Sequence, residues 1–191
     1  MEYPITPNSK KIDTFVWWEG GFKEQQLDWL QSKAKEAAQA AMAGGSLNNE
    51  YRRSEINWLY NTEETRWVFE TLEGIVSAVN ADHFGFELTG FGEPLQLTNY
   101  CSSKQGKYGW HKDFGNVGKN RKLSLVLQLS NPEDYEGGQL QLLGDTADII
   151  NIKKQRGHIS IFPSWTLHQV TPVVKGTRQS LVIWVSGASF R

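Results

Sequence analysis

The sequence predicts an α+β fold in which N-terminal helices brace a sandwich or barrel of short strands. Two observations carry this prediction: apolar residues in the first third recur at helical spacing, and from about residue 86 they alternate with polar ones. Clusters of Gly, Pro, Asn and Asp separate the later runs, as in all-β sandwiches and barrels. Since no linker or repeat divides the chain, we expect one domain over residues 1–191, with helical support over about 1–85 and a β core over about 86–191.

Two helices are predicted in the first third. Leu and Ala recur every three or four residues from Phe22 to Met42, and the Gly pair at 44–45 would end this helix. The second helix is predicted to begin at Asn61, because Glu64 completes a capping-box pattern ahead of an apolar stripe. That stripe consists of Val68, Leu72, Ile75, Val76 and Val79. The segment from Arg52 to Tyr60 between the helices is predicted to be extended.

Short strands are predicted through the rest of the chain. The clearest runs from Leu123 to Leu129, where leucine alternates with serine, valine and glutamine. The other predicted strands lie at 95–100, 140–142, 149–152, 159–161 and 181–185.

Composition restricts the function classes. The net charge is −1, so a nucleic-acid partner held mainly by phosphate contacts is disfavoured. A single cysteine, Cys101, excludes an intrachain disulfide and fits a reducing compartment. The first residues, 1–4, have no apolar signal-peptide core, and no apolar run is long enough to span a bilayer, so we expect a cytoplasmic protein without a membrane partner. Oligomeric state stays open.

A candidate metal site begins with His111 and Asp113, two positions apart in an extended segment. Residues i and i+2 of a strand project to the same side, so one imidazole and one carboxylate can meet one metal ion. His168 lies at the mouth of a later predicted strand. Two imidazoles and one carboxylate on one face of an octahedron leave three positions open, which suits Fe(II) better than tetrahedral zinc. The alternative interpretation is that His168 caps a strand end and Asp113 begins a turn.

The remaining cationic candidates have different expected roles. Arg178 lies at the start of the last predicted strand, where its guanidinium could grip a carboxylate with two parallel hydrogen bonds. The alternative for Arg178 is a solvated charge at a strand end. His83, at the end of the second helix, and His158, at the start of a strand, are expected to be structural or surface residues.

Taken in order, these residues resemble the Fe(II)/2-oxoglutarate dioxygenases, and within them the prolyl 4-hydroxylase-like branch. The resemblance covers roughly Leu95 to Trp184, about half the chain. Its segments are the Tyr100 strand, His111-Lys112-Asp113, the strand from Arg121 to Leu129, Tyr135-Glu136-Gly137-Gly138-Gln139-Leu140, Phe162-Pro163-Ser164, His168-Gln169-Val170-Thr171-Pro172-Val173 and Gly176-Thr177-Arg178.

The resemblance implies a double-stranded β-helix, a jelly-roll or cupin-like barrel, with the metal at its open end. It implies His111, Asp113 and His168 as the catalytic iron ligands. It also implies that Arg178 binds the C5 carboxylate of 2-oxoglutarate and that Tyr100 donates a hydrogen bond to the same carboxylate. Aromatic residues around the metal motif and on the last strand, Tyr108, Trp110 and Trp184, either line a substrate pocket or pack.

The implied activity is hydroxylation of an unactivated C–H bond in a prolyl residue of a peptide or protein, as by a procollagen-proline 4-dioxygenase. The implied cofactors are Fe(II), 2-oxoglutarate as co-substrate, O2 and L-ascorbate, and the by-products are succinate and CO2. Two segments, Ser102–Gly109 and Gly44–Tyr60, are candidate mobile loops over the substrate.

Three alternatives stay open at this point. One is a related oxygenase acting on a small molecule or nucleic acid, although nucleic-acid demethylases resembling AlkB have a second arginine where this chain has Trp184. Another is a cupin-like metal protein without 2-oxoglutarate, against which Arg178 argues. The third is a non-catalytic jelly-roll binding module, which would not need the His-Asp-His set.

Overall fold

The structure is a computed structural model that describes residues 12–35, 39–40, 50–114 and 120–188. The α-helices of this part of the chain are α1 (Glu24–Lys35) and α2 (Arg66–Val79). In chain order its strands are β1 (Val16–Trp18), β2 (Gln39–Ala40), β3 (Arg52–Arg53), β4 (Glu55–Leu59), β5 (Leu88–Gly90), β6 (Leu95–Cys101), β7 (Lys107–His111), β8 (Arg121–Gln128), β9 (Tyr135–Gly137), β10 (Leu140–Leu143), β11 (Ile149–Asn151), β12 (Ile159–Pro163), β13 (His168–Val170) and β14 (Val173–Gly187).

Two antiparallel sheets face each other across the molecule. The larger has the order β1-β12-β8-β14-β6-β4-β2, with β5 and β9 also paired to β14. The smaller has the order β11-β10-β13-β7-β3. This arrangement is the double-stranded β-helix that the family resemblance implied, with helices bracing its larger sheet.

The larger sheet buries a different kind of residue on each face. The leucines of β8, together with Leu97, Ile161 and Ile183, pack against the helices. The alternate residues point between the sheets, where Tyr100, Val126 and Phe162 contact residues of the smaller sheet. The residues of the larger sheet that point between the two sheets also include polar side chains. These residues form one wall of the cavity described below.

The predicted first helix is too long at its C-terminal end. In the described residues α1 ends at Lys35, and Gln39–Ala40 pair with β4 as a strand, so the helix does not continue to Met42. Alanine favours a helix by a few tenths of a kcal/mol per residue, which a strand pairing can override. The Gly pair at 44–45 lies outside the described residues.

The second helix begins later than predicted. It starts at Arg66 instead of Asn61, because a turn precedes it. The Thr65 hydroxyl accepts a hydrogen bond from the backbone N–H of Thr62 at 2.8 Å and donates one to the carbonyl oxygen of Tyr60. The predicted apolar stripe is buried in full, so the helical periodicity is confirmed.

The extended segment predicted at 52–60 forms β3 and β4, and the later predicted strands are all present. The segment predicted as a mobile loop at Ser102–Gly109 is a 3-10 turn followed by β7. Of the other segment predicted as a mobile loop, Gly44–Tyr60, residues 44–49 lie outside the described residues and the rest contains β3 and β4. Neither described helix is long and apolar enough to cross a membrane.

Candidate metal centre

Two strands of the smaller sheet bring the candidate ligands together. His111 ends β7 and His168 begins β13, and the two residues are direct partners in the antiparallel pairing. Asp113 follows β7 by two residues. One ligand atom from each of these three side chains lies within 4.8 Å of the other two. They form the one group of this kind found in the described part of the chain.

The imidazoles are oriented by backbone carbonyl groups. Nδ1 of His111 lies 2.8 Å from the carbonyl oxygen of Gly109, and Nδ1 of His168 lies 2.9 Å from that of Thr166. Each Nδ1–H therefore donates, which leaves both Nε2 atoms as acceptors. These Nε2 atoms lie 3.8 Å and 3.6 Å from the carboxylate oxygens of Asp113. Three donor atoms thus converge with their lone pairs available.

Asp113 is held from both its side chain and its backbone. The Ser124 hydroxyl donates a hydrogen bond of 2.7 Å to its carboxylate, and the Asp113 N–H donates to the carbonyl oxygen of Ser164 at 2.9 Å. Burial alone would raise the pKa of Asp113, but the two imidazoles and the Ser124 hydroxyl bring that pKa below its usual value. The carboxylate is therefore ionised at neutral pH.

His111 is kept neutral by its surroundings. Burial lowers its pKa to about 3, with a further contribution from His168, and Asp113 offsets only part of this. The ring of Tyr108 stacks on the imidazole at 3.5 Å between centroids and 16° between planes. The guanidinium carbon of Arg52 lies 4.4 Å from the centroid of the Tyr108 ring. A neutral, sterically fixed imidazole is the form that binds a metal ion.

A cavity of about 250 Å³ connects this centre to Arg178. Arg178 lies within β14, directly opposite Tyr100 of β6, and not at the start of its strand as predicted. Its side chain is only 1% exposed, and its Nη1 donates to Ser180 at 3.3 Å. Its Nε and Nη2 are buried without a hydrogen-bond partner among the described residues. Such atoms are costly unless a ligand satisfies them.

Gly138 explains why Arg178 can lie where it does. It has a φ of +56°, and a Cβ there would come within 2.9 Å of Val173 and 3.1 Å of the Arg178 Cδ. A glycine at this position therefore leaves room for the arginine side chain below the β9–β10 turn.

Several residues that the sequence did not single out as candidates also line the cavity, Arg121 among them. Arg121 stacks over Trp184 at 3.7 Å and is bound by both carboxylate oxygens of Glu93, at 2.6 and 2.7 Å. Others that were not singled out are Arg52, Ile56 and Trp58. Tyr108 and Trp184 line the cavity too, whereas Trp110 does not. The two histidines expected to be structural lie elsewhere: His83 contacts Asp13, and His158 contacts Glu19.

The residues present fit an iron ion and a dicarboxylate. Two imidazole nitrogens and one carboxylate form the facial set typical of non-haem Fe(II) sites with open positions. The unpartnered nitrogens of Arg178 at the far end of the same cavity match a carboxylate in charge and geometry.

Comparison with known proteins points to one family. Residues 95–186 match the model of the 2OG-Fe(II) oxygenase superfamily. Over these residues the chain is similar to members of this superfamily. The matched residues contain all three members of the metal cluster and Arg178.

Among curated relatives, a PKHD-type hydroxylase from Prochlorococcus marinus is 44% identical over 85 residues, which are 44% of this chain and 38% of the relative. The PKHD-type hydroxylase YbiX from Escherichia coli is 28% identical over 173 residues, which are 86% of this chain and 71% of the relative. The first match thus spans less than two fifths of its relative's length.

Among solved structures, a prolyl-4-hydroxylase from Pseudomonas putida superposes with a TM-score of 0.75 at 18% identity, covering 92% of this chain and 94% of that one. A prolyl hydroxylase from Trichoplax adhaerens, in complex with a hypoxia inducible factor peptide fragment, gives 0.78 at 17% identity and covers 94% and 85%. At such identities the likeness establishes the fold.

Proposed function

We propose that the protein is an Fe(II)- and 2-oxoglutarate-dependent dioxygenase that hydroxylates a prolyl residue in a peptide or protein. The observation that carries this proposal is the shared cavity: a His-Asp-His cluster at one end and a buried arginine with unpartnered nitrogens at the other. A PKHD-type hydroxylase among the relatives and prolyl hydroxylases among the structural neighbours support the choice of reaction and of substrate class.

In this proposal His111, Asp113 and His168 bind the iron, and Arg178 binds the C5 carboxylate of 2-oxoglutarate with a hydrogen bond added by Tyr100. When bound, Fe(II) and 2-oxoglutarate together activate O2, and the overall reaction converts R–H, 2-oxoglutarate and O2 into R–OH, succinate and CO2.

The residues of the chain position and shield these groups. The backbone carbonyl oxygens of Gly109 and Thr166 orient the imidazoles so that each Nε2 would be free to bind the metal, and Ser124 holds the carboxylate of Asp113. Apolar side chains of Val126, Leu140 and Val170 line the same cavity and give the co-substrate an apolar wall. L-Ascorbate would serve to keep the iron reduced between turnovers.

The test is incubation of the protein with Fe(II), 2-oxoglutarate, ascorbate and a library of proline-containing peptides. We expect succinate release together with peptides that gain one oxygen atom, as read by mass spectrometry. The matched control is His111→Ala, which should give neither product. Succinate release without peptide oxidation would support 2-oxoglutarate as co-substrate but reject proline-containing peptides as the substrate class. Succinate release no higher than in the control would reject the whole proposal.

Metal substitution gives a second test, because the open three-ligand set suits a redox-active ion. We expect Fe(II) to support turnover, and Mn(II), Co(II) or Zn(II) to occupy the site without activity. Turnover with Zn(II) at a rate comparable to Fe(II) would contradict a redox role for the metal.

A further inference from the structure

Arg52 places a third guanidinium in the cavity that contains the metal cluster. Its strand, β3, pairs with β7 so that Arg52 lies opposite Tyr108. The Nε of Arg52 donates to the Ser54 hydroxyl at 2.9 Å, and its guanidinium lies over the Tyr108 ring. These two contacts fix the plane of the guanidinium beside the ring that stacks on His111.

The positive charge of Arg52 has no counterpart in the described part of the chain. Its Nη2 is buried without a hydrogen-bond partner there, and no described carboxylate forms an ion pair with it. Arg121, which lines the same cavity, is by contrast bound through two hydrogen bonds to Glu93. A buried guanidinium nitrogen without a hydrogen-bond partner costs free energy, which a ligand anion would recover.

Loading the centre would not neutralise Arg52. The charges of Fe(II) and Arg178 are matched by those of Asp113 and the two carboxylates of 2-oxoglutarate. Lys112, between two candidate ligands, also lines the cavity and adds to its positive potential. The loaded cavity therefore still attracts an anion.

We propose that Arg52 binds a carboxylate of the substrate and thereby selects acidic peptides. This inference rests on the proposed function and adds to it the chemistry of the recognised group. Ile56 and Trp58 line the same cavity from the next strand, β4, and offer an apolar surface for the residue that bears the C–H bond. The carboxylate would come from an Asp or Glu beside the hydroxylated residue, or from the free C-terminus of a peptide.

The experiment is affinity selection from a randomised peptide library on the anaerobic protein loaded with Fe(II) and 2-oxoglutarate. It compares the wild type, Arg52→Gln, Arg52→Lys and Arg53→Gln. Arg53→Gln is the matched control, because it removes the same charge from the same strand at a residue that does not line the cavity. The charge-transfer band of bound 2-oxoglutarate reports, in every variant, whether the centre itself is intact.

We expect the wild type and Arg53→Gln to retain peptides in which a carboxylate recurs at a fixed number of positions from the residue that would be hydroxylated. In Arg52→Gln this enrichment should fall by about tenfold or more, and Arg52→Lys should keep part of it, because charge-assisted hydrogen bonds discriminate at this level. Synthetic pairs that differ only as Glu against Gln, or as C-terminal acid against amide, then identify the source of the carboxylate.

Several results would overturn the role of Arg52. They are a retained pool without carboxylate enrichment, retention of no peptide, or an enrichment that persists in Arg52→Gln. Weaker 2-oxoglutarate binding in Arg52→Gln would also overturn it, since Arg52 would then serve the co-substrate. Absence of the charge-transfer band in the wild type is a different result, because it rejects the proposed function.

Discussion

The protonation state of single residues determines whether this centre can bind a metal ion. His111 and Asp113 are buried side by side, yet the first is neutral and the second ionised, because burial disfavours the imidazolium while two imidazoles and a hydroxyl favour the carboxylate. Both states are those required of ligands. The carbonyl oxygen of Gly109 accepts a hydrogen bond from Nδ1–H of His111 and thereby selects the tautomer whose Nε2 can bind a metal ion.

The buried neutral imidazole predicts a pH dependence of stability. The pKa of His111 is lowered to about 3 in the folded protein, against about 6.5 in an unfolded chain. The unfolded chain therefore binds more protons between these values, so the stability of the metal-free protein should fall as the pH decreases from about 6.5 towards 3.

Urea denaturation of the metal-free protein across this range would measure the effect. His111→Asn should show a shallower decline than the wild type, because it lacks the titrating imidazole. Equal slopes in the two proteins would contradict a buried neutral His111.

At the scale of helices and strands, the features that the sequence could predict are those that follow from periodicity. The stripe of α2 and the alternating strands β6, β8 and β14 follow from the spacing of apolar residues and were predicted correctly. The start of α2 at Arg66 and the strand at Gln39–Ala40 depend on a threonine turn and on pairing with a distant strand, which local spacing does not encode.

The leucines of β8 show another limit of periodicity. The structure packs them against the helices and places Val126, Ser124 and Gln128 on the opposite side of the strand. Alternation separates the two faces of a strand but does not say which face points to which layer.

The packing of α1 on the larger sheet predicts the effect of a core truncation. Leu30 is completely buried, so Leu30→Ala should lower the free energy of unfolding by about 2–5 kcal/mol. Val174→Ala is the control, because Val174 is 68% exposed and its loss should change stability by less than about 0.5 kcal/mol. Chemical denaturation measures both, and equal effects would contradict the bracing role of α1.

At the scale of the whole molecule, the candidate site lies between two sheets. The sequence indicated His111, Asp113, His168 and Arg178 through the family resemblance, and the structure brings all four to one cavity, while their chemical roles stay predictions. Arg52 was not identified, because only the pairing of β3 with β7 brings it there.

The position of the ligands at the end of strands predicts that the fold survives loss of the metal. One apolar cluster lies between the helices and the larger sheet, and another lies between the two sheets. Neither cluster includes the three ligands. Chelation, or the substitution His111→Ala, should therefore abolish turnover and leave most of the circular-dichroism spectrum. An unfolded metal-free protein would instead indicate a structural metal.

The most direct test of the account is the affinity of the anaerobic Fe(II) protein for 2-oxoglutarate, followed by the metal-to-ligand charge-transfer band. Arg178 is buried with two unpartnered nitrogens, so removing it should weaken 2-oxoglutarate binding and leave iron binding nearly intact. Loss of one partner of a desolvated charge pair costs about 2–5 kcal/mol, or roughly 30-fold to several thousand-fold in affinity. Arg178→Ala should show this loss, and Arg178→Lys should recover only part of it. An unchanged affinity in Arg178→Ala would contradict the assignment of 2-oxoglutarate as co-substrate.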